Sequence, residues 1–402
     1  MKKSLTTMTL AMFGLININN VTAATFTDAL TKGKTSADLR LRYEAVEQNN
    51  ALKDAKALTL RTRLGYTTAD YKGFSGMIEM EDVRIVGGIN EYTVGPTGFN
   101  PGTYSVIADP ESTEVEQGFV KYKNNVLSAK YGRQVLTLDN HRFIGHVGWR
   151  QDRQTFDGLS LSMVPAEDLS VKYAYLTKRN RIFAENADVY SKDHLLNVGY
   201  KTAIGKLTGY AYLLETDNNT INGLDTYGLR FSGNKVTGAG KVLYTAEYAT
   251  QNYESGATKS DANYMLVEGG LAMKPVTVKL SYEVLGSDNG NYGFATPLAT
   301  LHKFNGWADQ FLSTPGQGLE DLSFTISTKA LGGKIVAAYH DFSTDKATST
   351  VSDLGSEINL LYATKFNKIY NAGIKYAAYS AGDSAAGKVD TDKLWIWTGL
   401  KF

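Results

Sequence analysis

The chain has 402 residues, long enough for two ordinary domains or one large closed sheet. Its 42 Lys and Arg stand against 41 Asp and Glu, so no global field argues for a nucleic-acid partner. There is no cysteine, which excludes disulfides as a source of stability, and the mean hydropathy is −0.26 with no long apolar run past the first two dozen residues, which excludes a helical membrane protein.

Residues 1–24 read as an export signal rather than as part of the fold. Lys2 and Lys3 form a positive start, Leu5 to Ile16 is apolar apart from three threonines, and Ala23 and Ala24 supply small residues for cleavage. The apolar stretch is shorter than the roughly 20 residues a spanning helix needs. The competing reading is an amphipathic first helix of a cytosolic protein. Without Lys2 and Lys3 the count is 40 basic against 41 acidic residues, a mature net charge of −1.

From Ala37 onward one pattern repeats to the end, which makes residues 25–402 a single β-domain. Leu39, Leu41 and Tyr43 alternate with Asp38, Arg40, Arg42 and Glu44, and Leu58, Leu60, Leu64 and Tyr66 alternate with Thr59, Arg61, Arg63 and Gly65. Similar rows follow at Val171–Tyr175, Tyr227–Phe231, Val242–Tyr248 and Val276–Val284, then at Ile335–Tyr339, Ile358–Tyr362 and Ala372–Tyr376. Tight turns are expected at Tyr71–Gly73, Asn124–Asn125, Gly205–Lys206, Gly238–Lys241, Lys274–Pro275, Gly332–Lys334 and Asn367–Tyr370. Longer excursions are expected at Val86–Ser112, Leu136–Arg153, Thr177–Asp193, Asp217–Asp225, Asn252–Ala262, Gly286–Asp321, Asp341–Gly355 and Ser380–Asp392.

A soluble sandwich also alternates with period 2. Here charged residues sit mid-strand opposite continuous aliphatic and aromatic rows, as a water-filled lumen inside a lipid-facing wall requires, and short turns alternate with long polar loops. The 25 tyrosines suit both strands and interfacial girdles. The fold class is therefore all-β: a transmembrane antiparallel up-and-down barrel of about 18 strands, located in the outer membrane.

The chain ends in Leu394-Trp395-Ile396-Trp397-Thr398-Gly399-Leu400-Lys401-Phe402. Phe402, Leu400 and Ile396 fall on one alternating row, which resembles the terminal signature read by the barrel assembly machinery of Gram-negative bacteria. Two internal blocks carry a further resemblance. Tyr131-Gly132-Arg133-Gln134 followed by Asn140-His141-Arg142-Phe143 resembles the strand-to-constriction region of porin-like barrels. Leu301 to Leu312, reading LHKFNGWADQFL, looks like a loop motif of the alginate-export family of outer-membrane barrels. That resemblance implies an 18-stranded barrel that passes an anionic polysaccharide or other small solutes, with lipid and lipopolysaccharide as its surroundings.

All 12 arginines lie between Arg40 and Arg230. Paired strands would set Arg40, Arg42, Arg61 and Arg63 side by side on the lumen face as one basic stripe. Arg133, Arg142, Arg150 and Arg153 form a second group, and Glu79 and Glu81 supply the opposite charge. A narrow passage lined this way attracts carboxylates, phosphates or oxyanions; the alternative is that Arg and Glu pair across strands merely to solvate a wide lumen. In the loop motif, Phe304, Trp307 and Phe311 recur at spacings of three and four, either as one face of a short packed helix or, with His302, as a constriction whose rings touch sugar faces. The five histidines, His141, His146, His194, His302 and His340, show no metal-ligand spacing, and no nucleophile elbow or phosphate loop occurs. The expectation is a channel for small polar or anionic solutes, without cofactor or metal and not an enzyme. A non-conducting barrel, an adhesin or the sheath of a membrane complex, is the other reading.

Overall fold

In the computed structural model, residues 23–95 and 98–402 are described; the expected signal segment lies outside them but for Ala23 and Ala24. Eighteen strands form one antiparallel sheet that closes when the first, Lys34–Gln48, pairs with both the second, Ala55–Thr67, and the last, Thr391–Lys401. Closure leaves no unpaired edge, so the strands satisfy one another's backbone groups inside a lipid layer that offers no partners.

The two ends of the barrel differ. Eight tight turns, from residues 68–73 to 367–369, lie at the end where the first strand begins and the last one finishes. Nine loops lie at the other end, and three of them are long: residues 92–111, 135–154 and 286–318, the second, third and seventh loops in chain order. Two expectations are corrected here. Residues 252–262 are no excursion, because Gly240–Ser255 and Thr258–Ala272 pair to within two residues of each other around Gly256, whose φ of 60° makes so tight a turn possible. The turn expected at Gly205–Lys206 falls at residues 203–204, since Gly205 already pairs with Thr202.

The alternating rows face as their chemistry requires. Leu280, Ile374 and Ile396 stand on the outer surface, while Arg42, Glu44, Arg61 and Arg63 are buried within the lumen. Rings gather at the turn end, where Phe74 meets Tyr122 at 4.9 Å and Phe366 stacks on Tyr370 at 5.4 Å, as in an interfacial girdle. The main hydrophobic cluster is not in the wall. It joins third-loop residues Leu138, Phe143 and Ile144 to seventh-loop residues Phe294, Leu298 and Phe311 and to inward-facing wall residues such as Tyr210, Tyr264 and Trp395. Two loops are thus folded into the barrel and packed against its inner face.

Candidate functional site

The arginine stripe meets the third loop. Arg40 and Arg61 are register partners on adjacent strands, so their side chains leave the same face. Arg40 donates to the carbonyls of Trp149 at 2.9 Å and Arg150 at 2.5 Å and to Gln151 Oε1 at 2.9 Å. Arg42 donates to the Trp149 carbonyl and pairs with Asp109 of the second loop. Arg61 pairs with Asp38, and Arg63 pairs with Glu81 while donating to the Gln151 carbonyl at 2.9 Å. Glu79 accepts from Gln117 at 2.9 Å and pairs with Arg153. The Arg and Glu side chains therefore join neighbouring strands and the third loop rather than face each other across an open lumen.

Arg142 lies deeper, 1% exposed, at the tip of the third loop. It grips Glu283 of strand Val276–Leu285 through two contacts at 2.8 and 3.3 Å and reaches Asn305 Oδ1 of the seventh loop at 3.0 Å. The Phe304 ring covers its guanidinium at 4.8 Å. Arg133 is not brought to this group. It shares the row of the exposed Tyr131 and binds Asp157 on the neighbouring strand at 2.9 and 3.2 Å.

The seventh loop places its rings individually. Only Leu301–Lys303 makes a helical turn, a 3₁₀ one, so the short helix expected through Phe311 does not form. Asn305, Gly306 and Asp309 take positive φ of 52°, 84° and 62°, which a continuing helix forbids. His302 stacks on Trp149 with centroids 5.1 Å apart, its Nδ1 2.6 Å from Asp309 and its Nε2 2.6 Å from Lys375 Nζ. Burial, with Lys375 and Arg150 nearby, pushes His302 down to about 3 against the pull of Asp309. The ring is neutral, with Nδ1–H donating to Asp309 and Nε2 accepting from Lys375. Lys375 Nζ lies 3.8 Å from the Trp307 ring centroid, 4.3 Å from that of Trp149 and 5.2 Å from that of Trp395. Trp397 edges onto Trp149 at 5.4 Å, so all four tryptophans of the chain meet here. Phe311 packs on Phe342 of the wall at 4.6 Å.

Asp309 also pairs with Arg150 at 3.0 Å and with Lys393 at 2.9 Å. Burial opposes its charge, but His302, Lys393 and Arg150 hold the carboxyl well below its ordinary range. Sequence reasoning passed over Asp109, Asp309, Glu283, Lys375 and Lys393. The signal for the last two was parity: Lys375 alternates with the outward Ile374, and Lys393 shares the inward row of Trp395.

Two of the cavities on the turn side of the inward loops are lined by arginine. One, about 260 Å³, is lined by Arg40, Arg61, Arg63, Arg153 and Lys401 with a single carboxylate, Asp38. The other, about 340 Å³, runs past Arg230, Lys279 and Lys303 to Glu283 and His340.

An 18-stranded closed barrel with a lipid-facing outer wall, a charged lumen and inward loops is an outer-membrane channel of the porin type. Solved structures share the fold. Acinetobacter baumannii OccAB1 superposes with a TM-score of 0.70 over 92% of this chain and 97% of its own at 14% identity. Pseudomonas aeruginosa OpdK, solved with vanillate, superposes at 0.71 over 92% and 98% with 11% identity. Pseudomonas aeruginosa OccK11 superposes at 0.68 over 92% and 96% with 14% identity. No curated protein matches the sequence. The alginate-export family model matches residues 31–284, and the chain belongs to that family. The match takes in Tyr131–Gln134 and Asn140–Phe143 and stops short of the block from Leu301 to Leu312.

Proposed function

We propose that the barrel passes small anionic solutes, carboxylates foremost, by passive diffusion, and that Arg40, Arg61 and Arg63 guide them below the constriction. The cavity lined by Arg40, Arg61, Arg63, Arg153 and Lys401 carries this reading, with Asp38 its one lining carboxylate and Glu79, Glu81 and Glu116 paired to Arg63 and Arg153 behind it. His146 at its edge supports it: burial, His141, Arg153 and Arg63 push that ring down to about 4, as a site of positive potential would. Guanidiniums suit carboxylates because they bind them bidentately. OpdK, with which this fold is shared, was solved with vanillate, a small aromatic carboxylate, and Trp397 beside the cavity offers a ring surface for such a solute. Arg142, His302, Phe304, Trp307 and Phe311 form the constriction in this reading, with Arg42 and Glu79 lining its approach. Arg133, on the outer row, is left out of the path.

The same reading makes residues 1–24 a cleaved export signal and residues 25–402 the mature barrel. Phe402, Leu400 and Ile396 serve recognition by the barrel assembly machinery, and lipopolysaccharide and lipid cover the outer wall. No catalytic step, cofactor or nucleic-acid partner enters it. The test is ion selectivity in planar bilayers. Replacing Arg40, Arg42, Arg61 and Arg63 by Gln keeps hydrogen-bonding capacity and removes charge. Reversal potentials under a salt gradient then shift toward cations, most at low ionic strength, where the Debye length exceeds about 10 Å. Unchanged selectivity with conductance retained rejects the guiding role.

A further inference from the structure

Where the third loop rejoins the wall, carboxylates crowd together. Glu81 on the third strand, Glu116 on the fourth and Asp152 at the end of the loop are each 1% exposed and offer oxygens all within 4.8 Å of one another. A β-bulge lies at Glu116. Glu79 pairs with Gln117 and Met80 with Val115, so Glu116 is the extra residue, and both Glu116 and Gln117 turn into the lumen. The register also sets Glu81 directly opposite Glu114, a like-charge pair that destabilises a ladder unless something lies between.

Local cations do not balance this group. Arg63 pairs with Glu81 and Glu116, and Arg153 with Glu116 and Glu79. Two guanidiniums therefore meet the four carboxylates Glu79, Glu81, Glu116 and Asp152, an excess of two negative charges. Arg133, the nearest cation to Glu114 at 3.9 Å, is engaged by Asp157. A second, independent sign is that Glu81 Oε1 and Glu114 Oε1 are buried with no hydrogen-bond partner, a desolvation cost that nothing in the wall repays.

We propose that Glu81, Glu116 and Asp152, with Glu114 beside them, bind one divalent cation, calcium in preference to magnesium, and that the ion fastens the third loop to the barrel wall. Calcium accepts six to eight oxygens at about 2.3–2.6 Å in irregular geometry, so oxygens on opposite sides of it stand roughly 4.6–5.2 Å apart. The cluster is already close to that size. Magnesium needs a tighter octahedron at about 2.0–2.1 Å, which three carboxylates fixed on two strands and a loop do not supply. Bound calcium neutralises the excess of two charges and engages the orphaned oxygens. It also holds the loop end that carries Gln151 and Arg153, and through Gln151 the Arg40 side chain.

The test uses the full mature chain refolded in detergent without lipopolysaccharide, stripped with chelator and titrated calorimetrically with calcium chloride or magnesium chloride. Wild type is expected to take up one calcium ion per chain, with magnesium bound at least tenfold more weakly and the melting temperature raised by calcium. Glu81→Gln and Asp152→Asn are each expected to weaken calcium binding tenfold or more and to remove the thermal shift, while Asp217→Asn in an exposed loop leaves both unchanged. Should neither cluster variant refold, trypsin cleavage of wild type at Arg150 and Arg153 decides, and calcium slows it if the ion anchors the loop. No saturable uptake by wild type at millimolar calcium overturns the proposal. So does binding that survives both substitutions, or cleavage indifferent to calcium, and then shared protons rather than a metal hold the carboxylates together.

Discussion

Replacing Arg142 by Met tests whether the third loop is latched in the lumen or merely lies there. The substitution keeps the length of the side chain and removes its charge. Breaking one partner of a buried ion pair costs about 3–5 kcal/mol, because the other charge is left uncompensated. Glu283 would keep two donors, Tyr264 Oη at 2.6 Å and Asn305 Nδ2 at 2.8 Å, which places the expected cost near the lower end, ~3 kcal/mol. The loss falls on the loop and not on the barrel, whose strands pair independently of Arg142. Hydrogen exchange of amides in residues 140–147 is the matching assay: a cost of ~3 kcal/mol makes local opening roughly a hundredfold more frequent. Single-channel recordings of the variant should show added current noise as the loop leaves its seat. Adding Glu283→Gln removes the stranded charge, so the double variant should recover much of the protection. Exchange accelerated less than fivefold in Arg142→Met, or a double variant as loose as the single one, would refute the latch.

Three further outcomes follow from other parts of the structure. Leu280 stands 57% exposed halfway along its strand, so Leu280→Arg should destabilise the barrel in bilayers by about 2–4 kcal/mol, and unchanged unfolding there would mean the wall does not face lipid at this position. The histidines His302 and His146 are held near 3 and near 4, below their ordinary value of about 6.5. A folded-state value below the unfolded one gives stability that is present above about pH 6.5 and drains away as the pH falls toward those values. Melting temperature should therefore drop between pH 6 and pH 4, and His302→Gln should flatten the drop; a profile identical to wild type counts against this. Phe402 joins the finished barrel by two backbone hydrogen bonds with Ala37, at 3.0 and 3.1 Å, and its side chain is largely exposed. Phe402→Ala should slow assembly measured by heat-modifiable migration while leaving the assembled barrel's stability within about 0.5 kcal/mol, the usual range for a surface change, and equal assembly rates would remove the terminal signal.

The wall was legible because its physics is local. Residues two apart share a face, so Leu39, Leu41 and Tyr43 declare the lipid side without reference to anything distant. Boundaries went astray where polar residues continue a strand past the membrane, as in Asn252–Ser255 and Thr258–Ala262, whose pairing has no hydrophobic signature. The lumen was hidden for a different reason. Arg142 finds Glu283 across 141 residues and Arg150 finds Glu44 across 106, so their partners depend on where a folded loop comes to rest. The spacing of Phe304, Trp307 and Phe311 misled because periodicity counts side chains and not backbone. The positive φ of Asn305, Gly306 and Asp309 sends the three rings to three different neighbours. Glu81, Glu116 and Asp152 come from three separate elements, two strands and the third loop, so no local pattern brings them together.

The gathering of every tryptophan around Lys375 makes the protein its own optical reporter. Among proteins of this architecture, indole emission usually mixes signals from the lipid boundary with those from the interior, but here no tryptophan stands on the outer wall. The indole emission of the refolded barrel therefore comes from the lumen alone. An aqueous quencher reaches these rings only by entering the lumen, and a brominated lipid should leave them bright. Movement of the third or seventh loop, or arrival of an aromatic solute, can then be followed by colour and intensity without attaching any label.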